Sequence, residues 1–171
     1  QAHEPRRATA TGSVSTAQWR SRRDPADPTC SYWLALAVVV QANQRRATAD
    51  DGLKVMVRAL HNAIDRGERT DSAGPHRVLA LVLLRAPGWP MGPGDPDTGL
   101  VHAERAVELF PDFAPNWLAL GEALHETGQP ARSLAAYRCA LEAAATRESH
   151  PDSRDWTEAA QVALAGNPEG T

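Results

Sequence analysis

Lysine is almost absent from this 171-residue chain: Lys54 is the only one, and every other basic side chain of that kind is arginine. The formal net charge is −3, so no broad basic face stands against phosphate, and nucleic acid is not an expected partner. Phenylalanine and tyrosine are scarce, at two each, while alanine is abundant. That balance suits closely packed helices and disfavours a sheet, which draws on β-branched and aromatic residues. The two cysteines, Cys30 and Cys139, form no C-x-x-C pair and join no metal-ligand cluster, which excludes a disulfide framework. The longest apolar run, Tyr32 to Val40, falls short of the roughly 18 residues a membrane span needs and is followed by Gln41, Asn43 and Gln44. No apolar signal segment precedes it, and the chain starts at Gln1. A processed chain, or one cut from something longer, is the expectation. Cytoplasmic residence is then favoured, with export open where a signal peptide has been removed.

What is present is ordinary for a globular protein: 42% hydrophobic and 23% charged residues, enough for one domain with a substantial core. Charge and apolar residues are unevenly spread. Residues 1–28 hold five arginines against Glu4, Asp24 and Asp27, a balance of +2, which leaves −3 − 2 = −5 for the remainder. Their only large apolar residues are Val14 and Trp19. So little apolar surface cannot offset the entropy of ordering, and the segment reads as a flexible tail, with Trp19 either solvated or docked on the first helix.

From Thr29 or Ser31, either suited to an N-cap, a helix is expected with Trp33, Leu36, Ala37 and Val40 on one face. The second carries Leu53, Met56, Val57, Leu60 and Ile64 and ends at Gly67. The third, from Gly74, is apolar nearly all round between Val78 and Leu84, as in a helix covered on both sides. Gly88–Asp97 is too rich in proline and glycine for either regular element. Asp95 or Asp97 can cap the fourth helix, which turns Ala103, Ala106, Val107 and Phe110 inward. The final helix, capped by Asp152 or Ser153, bears Trp156, Ala159, Ala160 and Ala163 on one side and Arg154, Asp155, Glu158 and Gln161 on the other.

The best-defined stretch is Pro111 to Leu141. Trp117, Leu120, Gly121 and Leu124 fall at i, i+3, i+4 and i+7, and after Gly128 the pattern resumes with Leu134, Tyr137, Leu141 and Ala144. Gly121 and Ala140 are small enough for two helices to approach closely. W-x-x-L-G followed by Gly128, Tyr137 and Ala140 resembles the tetratricopeptide repeat, a helical pair of about 34 residues. Stepping back by that period from Gly128, Ala140 and Glu142 lands on Gly94, Ala106 and Glu108, with Tyr137 falling on Ala103. The lengthened Pro/Gly loop before A-E-R-A-V-E-L is similar to repeat regions of large bacterial proteins, including tails of serine/threonine kinases, although no kinase motif occurs here.

The resemblance implies an all-α, right-handed helical-hairpin solenoid of about three helix pairs plus a C-terminal capping helix. Its expected parts are a tail at 1–28 and a helical domain at 29–166, with a short tail at 167–171. Within the domain lie a diverged pair at 29–67, a pair with the long loop at 75–111, the best-matched repeat at 112–147 and the capping helix at 151–166. Trp33 and Leu36 would take the family's tryptophan and leucine positions in the diverged pair. The family lines its groove with the first helix of each pair, which places Leu118, Glu122, His125 and Glu126 there, joined by Leu34, Val38 and Gln41. A clamp for a peptide carboxylate wants Lys, Asn and Arg, so this groove implies a protein or peptide partner with basic residues. The function implied is a scaffold or adaptor without catalysis; the alternative is an interaction region of a larger multidomain enzyme.

Residues with chemistry of their own fit that reading. Glu122 and His125 make one E-x-x-H half motif, where a di-metal site needs two, so no metal or cofactor is expected. His102 and Glu104, like Glu148 and His150, read as surface side chains, and no G-x-S-x-G turn occurs. Cys139 reads as a buried filler. Trp89 in the long loop either folds back over helix ends, the favoured arrangement, or stays exposed as a contact.

Overall fold

The computed structural model describes residues 27–42 and 49–166, and among them every regular element is a helix. Seven helices follow in order: α1 (Pro28–Ala42), α2 (Ala49–Gly67), α3 (Thr70–Arg85), α4 (Pro96–Leu109), α5 (Ala114–Glu126), α6 (Pro130–Thr146) and α7 (Ser153–Gly166). The expected tails, with Val14 and Trp19, lie outside the described residues. Contacts divide the chain into two compact units. One comprises the chain up to Pro75 with Arg85–Gly94; the other comprises His76–Leu84 with the chain from Asp95 onward.

In the first unit α1 packs on α2. The buried side chains are Tyr32 and Ala35 from α1 with Met56, Ala59, Leu60 and Ala63 from α2. This corrects the expected α1 face. Trp33 is 57% exposed, and the residue one step earlier takes its place. One step is about 100° of helix rotation, so the whole buried stripe turns with it, and what selects Tyr32 is a partner distant in sequence. Its hydroxyl donates to Asp71 Oδ2 at 2.6 Å. Asp71, Ser72 and Ala73 are left-handed, with φ of 50°, 51° and 64°, so the regular part of α3 begins at Gly74. Each such residue costs roughly 1–2 kcal/mol. The Tyr32 bond and the complete burial of Ala73 hold the turn in place.

In the second unit α4 packs on α5, α5 on α6, and α6 on α7, while α5 also meets α7. The chain is cut into these helices by local chemistry. Asp95 caps α4, its carboxylate accepting from the Thr98 backbone N–H at 3.1 Å and the Thr98 hydroxyl at 2.7 Å, with Pro96 opening the helix. Those bonds hold the Asp95 carboxyl below its ordinary range. Gly128, at φ 73°, ends α5. The Gly128 N–H donates to His125 O and the Gln129 N–H to Leu124 O, so the last carbonyls of α5 are satisfied by a left-handed turn that glycine enters without strain.

The core is built largely of alanine. Ala80, Ala103, Val107, Leu120, Ala123, Leu124 and Ala136 form one cluster, and Ala114, Ala143 and Ala144 form another, with Trp117 packed against both. Small side chains let backbones come close, and Gly121 is the closest approach: a Cβ there would lie 2.7 Å from Tyr137 Cδ1 and nearer still to Cε1. The Ser133 hydroxyl donates to Gly121 O at 2.7 Å in the same crossing. Gly121→Ala should therefore cost about 1–3 kcal/mol despite alanine's higher helix propensity. Urea denaturation checks this; an unchanged midpoint would show that the Tyr137 ring moves aside freely.

Candidate partner-binding face on the fifth helix

What orients α5 is a polar side chain in the middle of the apolar packing. Asn116 is fully buried. Its Nδ2 donates to Ala106 O at 3.0 Å and to Phe110 O at 3.2 Å, carbonyls at the C-terminal end of α4. Its Oδ1 accepts from Arg77 Nη1 at 2.9 Å. One amide therefore binds α3, α4 and α5 together in the second unit. One residue on, Trp117 Nε1 donates to Pro111 O at 2.6 Å and pins the turn between α4 and α5. The Arg77 guanidinium also lies 5.1 Å from the centre of the Phe113 ring, which Arg147 approaches to 5.4 Å and Trp156 meets edge-on at 5.2 Å. Arg147 in turn pairs with Asp112 at 2.6 Å, and that guanidinium holds the Asp112 carboxyl low.

With Asn116, Leu120, Ala123 and Leu124 buried, helical geometry turns Leu118, Glu122, His125 and Glu126 away from that side of α5. Leu118 and Glu122 are half-buried, and His125 and Glu126 are exposed. These four residues thus share one helix face, apolar at its N-terminal end and acidic toward its C-terminal end. The other expected groove residues lie elsewhere. Leu34 is half-buried on α1 in the first unit, and the side chains of Val38 and Gln41 fall outside the described residues. The packing positions Leu120, Gly121, Leu124, Tyr137, Ala140, Ala103 and Ala106 are all buried, and Trp117 is half-buried.

Three other expectations meet the structure. Trp89 does not fold back: it is 90% exposed, and Met91 beside it is 73% exposed. The loop closes on its own backbone, with Met91 N–H and Gly92 N–H donating to Gly88 O and Gly94 N–H to Pro87 O, so the indole is left outside the turn. His102 is no isolated surface residue, because its Nδ1 lies 2.9 Å from Nδ1 of buried His76. His150 likewise packs on Trp156, ring centres 4.4 Å apart. Cys139 is half-buried, and burial, with Glu142 adding to it, pushes its thiol up, so the protonated form is favoured over a nucleophilic thiolate. Among the described residues no group of three or more His, Cys, Asp or Glu is placed to hold a metal ion, and no helix is long and apolar enough to cross a membrane.

Sequence reasoning passed over Asn116 and Ser133, the residues that fix the helices carrying the face. The available signal was position: each is a small polar residue on a helical stripe otherwise occupied by Ala, Leu and Gly. A scan against models of known protein families finds no match to this chain, and a search of curated proteins finds none either.

Asn116→Ala removes both donors from the carbonyls closing α4 and the acceptor of Arg77, so it is expected to cost about 1–3 kcal/mol. Glu126→Ala, exposed on the opposite side of the same helix, should stay within about 0.5 kcal/mol of the parent. Equal losses in urea denaturation would contradict the buried role of Asn116.

Proposed function

We propose that this protein is a non-catalytic scaffold that binds a protein or peptide through the outward face of α5, in a helical-hairpin solenoid similar to tetratricopeptide repeats. The observation that carries this reading is the crossing of α5 and α6. Gly121 lies against Tyr137 with no room for a side chain, Ser133 bonds Gly121 O, and Ala140 is fully buried. Of these, Gly121, Tyr137 and Ala140 are positions at which the sequence resembles the repeat. The order of packing in the second unit, α4 on α5, α5 on α6, α6 on α7 and α5 on α7, also suits successive hairpins stacked on one another.

The chemistry of the face indicates the kind of ligand. Glu122 and Glu126 stand one turn apart, and like charges at i and i+4 oppose each other slightly in a helix. A ligand bearing Arg or Lys relieves that repulsion, and an apolar anchor suits the Leu118 end. Buried partners hold the helix itself, so the face is presented with little ordering cost on binding.

Selection from a displayed peptide library on the full chain tests the reading. The enriched peptides should carry Arg or Lys beside a large apolar residue, bind more weakly as salt rises, and lose about tenfold or more in affinity for the Glu122→Lys/Glu126→Lys protein. Circular dichroism on that protein should match the parent. Peptides that bind both proteins alike would remove the α5 face as the binding site.

A further inference from the structure

We propose that His76 and His102 form an acid-sensitive latch between α3 and α4, closed while the two rings share one proton between their facing nitrogens and opened when both rings become charged. The inference stands apart from the reading of the α5 face. Both residues belong to the second unit. His76 is buried near the start of the regular part of α3, and His102 is half-buried on α4. Their Nδ1 atoms lie 2.9 Å apart, with the ring centres at 5.1 Å.

Counting protons gives the direction of the effect. A hydrogen bond between two imidazole nitrogens needs one N–H and one bare nitrogen, so the closed pair is either neutral or singly charged. A second charge would set two Nδ1–H groups against each other and bring two cations together where burial already disfavours charge. The unfolded chain has no such limit and takes up both protons below the ordinary imidazole range, about pH 6.5. With the latch closed the folded chain then binds fewer protons than the unfolded one, so stability falls as pH falls through that range. Charged neighbours on the elements around the pair are positive, engaged elsewhere or exposed. On the α3 side Arg77 adjoins His76 and bonds Asn116, and Asp71 accepts from Tyr32. On α4 Glu104 pairs with Arg132, Arg105 pairs with Glu108, and Asp97 is exposed in the first turn. The side of α5 that packs in the core carries Asn116, Leu120, Ala123 and Leu124, none of which titrates. Opening reaches beyond the rings, because a displaced His76 carries with it the next residue, whose guanidinium holds Asn116 Oδ1.

Urea denaturation of the full chain across acid pH tests the latch, with His102→Asn as the comparison. The asparagine amide can turn its oxygen to a charged His76, so this variant lacks the conflict between two N–H groups. Between about pH 6.5 and pH 5 the folding equilibrium constant of the parent should fall about tenfold further than that of the variant, the loss expected for roughly one withheld proton. The other histidines are common to both proteins and cancel in the comparison. An equal fall in the two proteins overturns the proposal. Ring-nitrogen NMR shifts of the parent give a second reading that needs no variant, and they decide alone if circular dichroism at neutral pH shows His102→Asn to be unfolded. One ring of the pair should keep neutral shifts at about pH 5.5, a full unit below the ordinary imidazole titration, and should take up charge only as the Asn116 side-chain amide loses its protection from exchange. If both rings are charged by that pH while the Asn116 amide stays protected, there is no latch.

Discussion

The second unit depends on a single buried amide. Asn116 is surrounded by apolar packing, where a lone polar group is costly, so it is tolerable only with its partners in place. Those partners come from α3 and from the end of α4, and each fixes a different direction. Apolar packing alone is nearly indifferent to small rotations of an alanine-lined helix. The amide is not, because its bonds require both distance and angle.

Around that point the unit gains specificity through small residues and polar links between backbones. Ser133 bonds Gly121 O across the α5–α6 crossing, and Ser153 bonds Ala144 O across the α6–α7 crossing at 3.0 Å. Each joins a residue in the first turn of one helix to a carbonyl of the one before. Helices this close leave few large side chains to fill space, so Trp117 and the Phe113–Trp156 pair supply bulk near the helix ends and Tyr137 fills the crossing beside Gly121. The rotation of α5 that results places Leu118, Glu122, His125 and Glu126 on the outward face.

The helices themselves were legible, and for local reasons. Asp95 with Pro96 opens α4 and Gly128 closes α5 by interactions spanning only a few residues, so sequence contains all the information needed. Ala103, Ala106, Leu120 and Leu124 were likewise legible as inward positions from helical period, and Ala140 from its small size and the resemblance to the repeat. In α1 the same reasoning failed by one residue: Tyr32 is buried and Trp33 is not, since the deciding partner, Asp71, lies in another helix.

Sequence by itself thus determined the all-helical character of the described residues, the ends of most helices, the small residues at the α5–α6 crossing and the opposite net charges of residues 1–28 and the remainder. Tertiary structure alone decided which turn of α1 faces inward, that Asp71–Ala73 adopt left-handed backbone, that His76 and His102 meet, that Trp89 stands in solvent and that Asn116 joins three helices. The physical reason is range. Caps, turns and periodic stripes are set by neighbours along the chain, whereas a hydrogen bond such as that from Arg77 to Asn116 exists only once distant segments have been brought together.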